Sequence, residues 1–305
     1  MEYLVLDVGG SAIKYAVMDA DSRIIEKGNV KTPKDSFDTF REEIGKIYDQ
    51  FKDRIEGIAL SMPGVIDSDR GYAYTGGALR YNYDIDIVKL LQVRCPVKMV
   101  VENDGKCAAL GEYWKGTLQG VKNGIVCVIG TGIGGGIIID GKLHKGSHFF
   151  AGEFSSLIVN NTFGDTLGFG KSYWAAQSGV RGLLYPIAEA KGVEHEDMDG
   201  LQAFELIHNG DEDAVRIFDD YCRKIAIQMY NMVSLFDPDK IAIGGGISAQ
   251  DILVENIVKQ VHKINDDYKE ETGKGLYLIP EVVRCELSND ANLVGALYTY
   301  LVSEK

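Results

Sequence analysis

The sequence predicts an α/β protein built from two related halves that face each other across a central cleft. Three observations lead to this fold class. The chain has 305 residues, which exceeds one ordinary domain. Strand-like and helix-like stretches alternate along its whole length. A pair of strands joined by glycines occurs near the start and again near the middle, and similar elements follow each pair.

The first half begins with the pair of strands that flanks Gly9-Gly10, and a third strand follows. The next segment, residues 37–51, has apolar side chains spaced for one face of a helix. In order, the predicted elements are strands at 3–6, 12–19 and about 23–30, a helix at 37–51, strands at 55–61 and 97–101, and a helix at 106–114.

The second half repeats the plan, again starting from two strands joined by glycines. Its predicted elements are strands at 125–129 and 137–140, helices at about 212–236 and 250–268, and a strand at 240–243 between those helices. A final helix at 289–301 is expected to cross back onto the first domain. Apolar periodicity is lost at residues 115–122, which marks a boundary. The predicted domains are therefore residues 1–117 plus 290–305, and residues 118–289.

Composition excludes several classes of function. The chain has 32 Lys and Arg residues against 45 Asp and Glu residues, a net charge of −13, so it lacks the basic face that nucleic acid requires. The five cysteines are too far apart for a zinc ribbon or a dense disulfide framework, and we expect reduced, mostly buried thiols. No apolar run approaches a membrane span, and no leader pattern is present, so the predicted location is the cytoplasm.

The first glycine pair indicates a phosphate site. Glycines between two strands can turn their backbone N–H groups toward an anion, although many such pairs are plain hairpins. Here a buried strand ends in a carboxylate, which is costly unless it meets a cation or a donor. A magnesium–phosphate group would supply that partner. The predicted nucleotide contacts in this segment are Asp7, Gly9, Gly10, Ser11 and Lys14.

The second glycine segment, residues 130–136, matches G-x-G-x-x-G and raises the alternative of a dinucleotide-binding enzyme. That fingerprint must open a helix, whereas a short β-branched strand follows here. We therefore predict a phosphate-binding hairpin with contacts from Thr131, Gly132, Gly134 and Gly135. A third glycine turn, with Gly245 and Gly246, follows a strand and precedes a helix. It is a weaker candidate for lining the base and ribose of a nucleotide.

A candidate general base follows the strand at 97–101. This strand ends in Glu-Asn-Asp, and a helix follows, so Asp104 is either an N-cap or a base that takes a proton from a substrate hydroxyl. In the second interpretation Asn103 hydrogen-bonds a neighbouring hydroxyl. The Pro-Gly turn with Gly64 is expected in the same crevice, and Glu153 offers a carboxylate to substrate hydroxyls.

These segments, taken in order, resemble the ROK family of repressors, open reading frames and sugar kinases. The resemblance spans nearly the whole chain and implies a two-domain actin-like ATPase (ribonuclease H-like) fold. It also implies ATP and Mg²⁺ as cofactors, with Asp7 holding Mg²⁺ through water, Asp104 as base, and sugar contacts from Asn103, Asp104 and Glu153. Cleft closure on the substrate and a homodimer are further expectations from the family.

Two departures from the family pattern are informative. Ser156 stands where many members have a histidine that contacts the sugar and binds zinc, and residues 160–170 contain no cysteine, so no zinc is expected. The loop at Gly77 replaces a Pro-Asn-Leu loop of glucokinase-like members. In these respects the chain is similar to the zinc-free subgroup of β-glucoside kinases and some N-acetylmannosamine kinases. The predicted substrate contacts are Gly64, Gly77, Asn103, Asp104, Glu153 and Ser156.

The leading hypothesis is an ATP-dependent kinase for the 6-hydroxyl of a hexose, an amino sugar or a β-glucoside. A non-catalytic sugar sensor of the same fold is the alternative, since the usual histidine is missing, but retention of Asp104 favours the enzyme. Family members that act as repressors carry a helix-turn-helix domain before the first glycine hairpin. Asp7 comes almost at once here, which favours a kinase over a DNA-binding regulator.

Overall fold

The computed structural model describes residues 1–160 and 172–304. Its strands are β1 (Glu2–Val8), β2 (Ala12–Asp19), β3 (Ile24–Lys31), β4 (Ile55–Met62), β5 (Ile66–Asp67), β6 (Tyr72–Ala73), β7 (Lys98–Asn103), β8 (Gly124–Ile129), β9 (Ile133–Ile139), β10 (Lys142–Leu143), β11 (Lys240–Gly244) and β12 (Val282–Arg284). Its α-helices are α1 (Phe37–Phe51), α2 (Ile87–Gln92), α3 (Asp104–Lys115), α4 (Trp174–Ser178), α5 (Val180–Lys191), α6 (Gly200–His208), α7 (Glu212–Phe236), α8 (Asp251–Thr272) and α9 (Ala291–Val302).

Two five-stranded sheets have the same strand plan. The first has the order β3-β2-β1-β4-β7, and the second has the order β10-β9-β8-β11-β12. In each sheet the central strand pairs antiparallel with the next strand of its hairpin and parallel with a later strand. The repeat of a glycine hairpin, a third strand and later parallel strands is therefore present in both halves.

Helix α1 shows how the sequence pattern determines packing. Its N-cap is Ser36, whose side chain accepts a hydrogen bond from the backbone N–H of Thr39. The apolar face that the sequence predicts, including Phe40, Ile44 and Phe51, is buried in the core of the first sheet.

The last helix, α9, packs against the other face of the first sheet. Val5 and Tyr3 of β1 share a core with Leu297 and Tyr300 of α9. The end of the chain thus completes the half that its start begins. The domain limits at residues 117 and 289 remain a prediction.

The second glycine turn is shorter than the sequence suggests. We predicted a strand only from residue 137, but β9 begins at Ile133 and pairs antiparallel with β8, Gly135 lying opposite Cys127. Only residues 130–132 lie between the strands. A strand follows the glycines, as predicted. A dinucleotide fingerprint would require a helix at this point.

The cysteines agree with the sequence prediction, whereas several short elements had no clear signal in the sequence. All five cysteines are free and buried, which confirms the prediction about the thiols. Among the described residues, no helix is long and apolar enough to span a bilayer. Helices α2, α4, α5 and α6 and strands β5, β6, β10 and β12 were not predicted. They are short or, for α5, interrupted by Pro186, so their periodicity is weak.

Candidate active site

Asp104 is the first residue of α3 and is not its N-cap. The cap is Asn103, the last residue of β7, whose Oδ1 accepts a hydrogen bond from the Lys106 backbone N–H at 3.1 Å. The Asp104 Oδ1 accepts from the Gly105 N–H at 2.8 Å. The cap is thus supplied by the neighbouring residue, which leaves the Asp104 carboxylate available for chemistry.

The environment of Asp104 raises its pKa from 3.8 to about 6. Burial is the largest cause, and the carboxylates of Asp7 and Glu153 add to it. The Gly105 N–H and the Lys106 ammonium oppose the shift. Three acidic groups from β1, α3 and the loop before residue 154 therefore lie close together between the two sheets.

Asp7 is fixed on one side and open on the other. Its Oδ1 accepts hydrogen bonds from Ser61 Oγ and from Asn292 Nδ2, both at 2.9 Å. Its Oδ2 lies 4.0 Å from Lys14 Nζ and accepts no hydrogen bond from the described residues. A carboxylate oxygen in this state fits Mg²⁺, which takes one or two protein carboxylates and otherwise keeps water and phosphate ligands.

Parts of all three glycine segments line one cavity of about 200 Å³. Its wall includes Asp7 and Lys14 from the first hairpin, Gly130 from the second, and Gly245 and Gly246 from the third. Gly245 has a φ of 93° and approaches the backbone of β8 so closely that a Cβ would lie 2.1 Å from Ile129 O. The structure therefore brings four of the predicted nucleotide residues to one cavity, namely Asp7 and Lys14 of the first half and Gly245 and Gly246 of the second.

The remaining predicted nucleotide residues lie at the hairpin tips or in β9. Ser11 and Thr131 are exposed, and Gly9, Gly10 and Gly132 are half-buried. Gly134 and Gly135 are strand residues, and packing explains the need for glycine at Gly135. A Cβ there would lie 2.3 Å from Val126 O and 2.4 Å from the Phe154 ring. A nucleotide contact for the backbone of these two residues stays a prediction.

The sugar-side turns form a connected unit. Gly64 and Gly77 both have positive φ values, 109° and 54°, and they pack against each other's backbone. Asn103 Nδ2 donates to Gly64 O at 2.9 Å, so the turn is tied to the residue before the candidate base. Gly10 of the first hairpin lies next to the same loop, since a Cβ on it would lie 3.2 Å from Ala78 Cβ. The predicted phosphate hairpin and the predicted sugar turns are therefore neighbours.

Ser156 and Glu153, two of the predicted sugar ligands, line the same groove. This groove has a volume of about 550 Å³ and lies between the segment at 150–158 and the end of α7, and the Ser156 side chain in it is exposed. The Ser156 backbone N–H donates to Glu153 O at 3.1 Å. A sugar contact from the Ser156 side chain stays a prediction.

Two lysines in the cleft were missed from the sequence. Lys106 is buried and donates to Glu153 Oε1 at 3.2 Å. Lys145, from the loop after β10, contacts Ser68 Oγ at 2.5 Å and Asp69 Oδ1 at 3.0 Å, and its Nζ lies 3.6 Å from Glu102 Oε2. Neither lysine belongs to a recognisable motif. From the sequence alone, a lysine at either position is expected to be a solvated surface charge.

Glu102 is the carboxylate that Lys145 approaches. It is 1% exposed, and burial raises its pKa. It accepts hydrogen bonds from the Asn103 N–H and from Ser68 Oγ, both at 2.8 Å, and these contacts and Lys145 favour the ionised form.

Ser155 is another residue of the site that the sequence did not indicate. Its Oγ accepts a hydrogen bond from the Ile133 N–H at 2.9 Å and so anchors the second glycine hairpin.

No larger metal cluster accompanies these groups. In residues 1–160 and 172–304, no three His, Cys, Asp or Glu side chains are grouped to hold a metal ion. The absence of zinc stays a prediction. The cysteine-free segment predicted at residues 160–170 lies, apart from residue 160, outside the described residues.

Two similarly ordered sheets with a carboxylate and glycine hairpins between them define an actin-like ATPase fold of the sugar-kinase class. Residues 3–303 match the ROK family, and the chain belongs to this family. A β-glucoside kinase from Listeria monocytogenes is 29% identical over 304 residues, covering 100% of this chain and 99% of the relative.

Solved structures agree with this assignment. A proposed N-acetylmannosamine kinase from Listeria monocytogenes has a TM-score of 0.88 and 28% identity, with 100% of both chains covered. A ROK family glucokinase from Streptomyces griseus, solved with glucose and AMPPNP, has a TM-score of 0.78 and 25% identity, with 98% of both chains covered. The predicted fold, family and enzyme class, a sugar kinase, are confirmed.

Proposed function

We propose that this protein transfers the γ-phosphoryl group of ATP to the 6-hydroxyl of a hexose, an amino sugar or a β-glucoside, with Asp104 as the general base. The observation that supports this most is the position of Asp104. Its carboxylate lies at the start of α3, close enough to the carboxylates of Asp7 and Glu153 for both to raise its pKa. Similarity to kinases for β-glucosides, N-acetylmannosamine and glucose supports the substrate class.

In the proposed reaction, Asp104 accepts the proton of the 6-hydroxyl as that oxygen bonds to the γ-phosphorus. The bond from this phosphorus to the β–γ bridging oxygen breaks, and ADP leaves. A pKa of about 6 leaves the base ionised at neutral pH yet basic enough to take a proton. Asn103 and Glu153 orient the sugar, which brings its hydroxyl to the base.

The nucleotide is held by backbone and by Lys14 in this proposal. The Gly9 N–H already donates to Ala12 O within the first turn, so Gly10 of that turn and the Thr131-Gly132 turn supply N–H groups to phosphate oxygens in this proposal. Gly245 and Gly246 line the cavity and allow close approach of the rest of the nucleotide. When bound, Mg²⁺ supplies positive charge to the phosphate oxygens, and Asp7 Oδ2 would hold it through water.

The test is a coupled ADP-release assay with glucose, N-acetylmannosamine, fructose, allose and cellobiose. We expect turnover with at least one sugar, and a loss of about 100-fold or more in kcat for Asp104→Asn. Asp38→Asn is the matched control, because Asp38 also lies in the first turn of a helix but is exposed. Turnover by Asp104→Asn within tenfold of the unmodified protein would show that Asp104 is not the base.

A further inference from the structure

Lys106 occupies a position that is unfavourable for a lysine in two ways. Its side chain is 1% exposed, and removing an ammonium group from water is unfavourable unless a partner compensates. It also lies in the first turn of α3, where the positive end of the helix dipole opposes a cation. The position therefore needs compensation from nearby acidic groups.

The compensation comes from residues of the site. Lys106 Nζ donates to Glu153 Oε1 at 3.2 Å, and its charge also acts on the carboxylates of Asp104 and Glu102. The backbone of Lys106 is held against β9, since a Cβ on Gly136 would lie 3.1 Å from the Lys106 Cα. The ammonium is thus fixed beneath the candidate sugar ligands.

The geometry of Glu153 shows what this ion pair does. Glu153 precedes a short 3-10 helix, and its side chain is 23% exposed, so one part faces Lys106 and another faces the cleft. Without a partner, a glutamate at the end of a loop would sample several rotamers. The ion pair holds the carboxylate through Oε1, and among the described residues no hydrogen-bond donor contacts Oε2.

We infer that Lys106 is a positioning residue whose ammonium holds the Glu153 carboxylate as a fixed acceptor for sugar hydroxyls. This inference rests on the proposed function, which places the sugar against Glu153 and Asp104. Lys106 acts through Glu153 and does not contact the reacting atoms. Its charge also opposes the rise in the pKa of Asp104, more weakly than burial and the carboxylates of Asp7 and Glu153 promote it.

The experiment compares Lys106→Met, Lys106→Arg and Glu153→Gln in the steady-state assay, from pH 5 to pH 9. For Lys106→Met we expect the KM for sugar to rise about 10- to 100-fold, the range for a lost hydrogen bond to a charged group, with little change in the KM for ATP. The acidic limb of kcat/KM should also move to higher pH, because loss of the cation raises the pKa of Asp104 further. Lys106→Arg should restore part of the sugar affinity.

The control is Lys115→Met, which removes a lysine from the last turn of the same helix and should leave both parameters unchanged. If Lys106→Met folds and keeps the normal KM for sugar and the normal acidic limb, the inference is wrong and the pair only supports the fold. If Lys106→Met does not fold, Lys106→Gln, which removes the charge but keeps a polar side chain and leaves Glu153 in place, decides by its KM for sugar.

Failure of this inference can be told apart from failure of the proposed function. An inactive Asp104→Asn together with a normal Lys106→Met contradicts only the role of Lys106. An active Asp104→Asn contradicts the proposed base. In that case the effect of Lys106→Met on sugar binding, measured by calorimetry without nucleotide, still decides whether Lys106 positions the sugar ligand.

Discussion

At the scale of single residues, Asp104, the proposed general base, opposes the stability of the fold. Burial and two neighbouring carboxylates make its ionised form unfavourable in the folded protein, while water solvates it in the unfolded chain. The pKa is therefore higher in the folded state than in the unfolded state. Between the two pKa values the folded protein binds the proton more tightly, so ionisation at higher pH reduces the free energy of unfolding.

Asp104→Asn should therefore stabilise the protein while it inactivates the enzyme. The shift from 3.8 to about 6 corresponds to a cost of up to about 3 kcal/mol at neutral pH. We expect the variant to raise Tm by a few degrees at pH 8, by less at pH 5, and not at all as the pH approaches 3.8.

Differential scanning calorimetry at several pH values checks this prediction, with Asp38→Asn as the exposed control. The negative charge of Asp38 interacts favourably with the N-terminal end of the α1 dipole, so Asp38→Asn should lower Tm slightly. A Tm gain for Asp104→Asn that is the same at pH 5 and pH 8 would contradict a contribution from ionisation.

At the scale of elements, glycines set how closely α3 approaches its neighbours. A Cβ on Gly105 would lie 2.4 Å from Gly135 N in β9, and a Cβ on Gly111 would lie 2.3 Å from Ala291 O in α9. On the facing side, a Cβ on Gly295 would lie 1.7 Å from Cys107 O. Helix α3, which begins with Asp104, is therefore fixed between the second sheet and the last helix by backbone contacts.

The substitution Gly295→Ala separates packing from helix propensity. Propensity alone predicts a gain of about 1 kcal/mol, because alanine is favoured over glycine inside a helix. Packing predicts the opposite, since the neighbouring atom belongs to the backbone and cannot rotate away. We expect a loss of about 2–3 kcal/mol in the free energy of unfolding, measured by urea denaturation.

Gly200→Ala is the matched control for this prediction. Gly200 begins α6, and a Cβ there would meet no atom within 4 Å, so the change should be neutral or stabilising. If Gly295→Ala were as stable as Gly200→Ala, the two helices would not be held at the spacing described above.

The parts of the fold that could be predicted are those with local signals. Helices α1 and α7 match the predicted ranges because their apolar faces repeat regularly. The contacts that complete the site are not local. Asn292, which holds Asp7, lies 285 residues away in sequence. The burial of Lys106 depends on the loop at Glu153, and no pattern in α3 reports it.

At the scale of the whole molecule, a loop from the second half reaches across to the first. Lys145 follows β10 and contacts Ser68, Asp69 and Glu102, which belong to segments between β5 and β7 or to β7 itself. Four residues later, Phe149 stacks on Tyr74 with ring centroids 6.4 Å apart. These contacts hold the two halves together on the sugar side of the cleft.

Replacement of Lys145 by Met should favour separation of the halves. The state that binds sugar would then be less populated, and the apparent KM for sugar should rise about three- to tenfold, with a smaller change in kcat. Exclusion of water from the cleft would also be poorer, so ADP release without phosphorylation of sugar should increase relative to productive turnover. Steady-state kinetics measures the KM and the ADP release, and small-angle scattering measures the separation of the halves.

Lys142→Met, which replaces an exposed lysine of β10, is the control. Because Glu102 is a partner of Lys145, Lys145→Met/Glu102→Gln should raise the KM little more than Lys145→Met alone. Additive effects of the two substitutions, or an unchanged KM in Lys145→Met, would mean that this contact does not control closure.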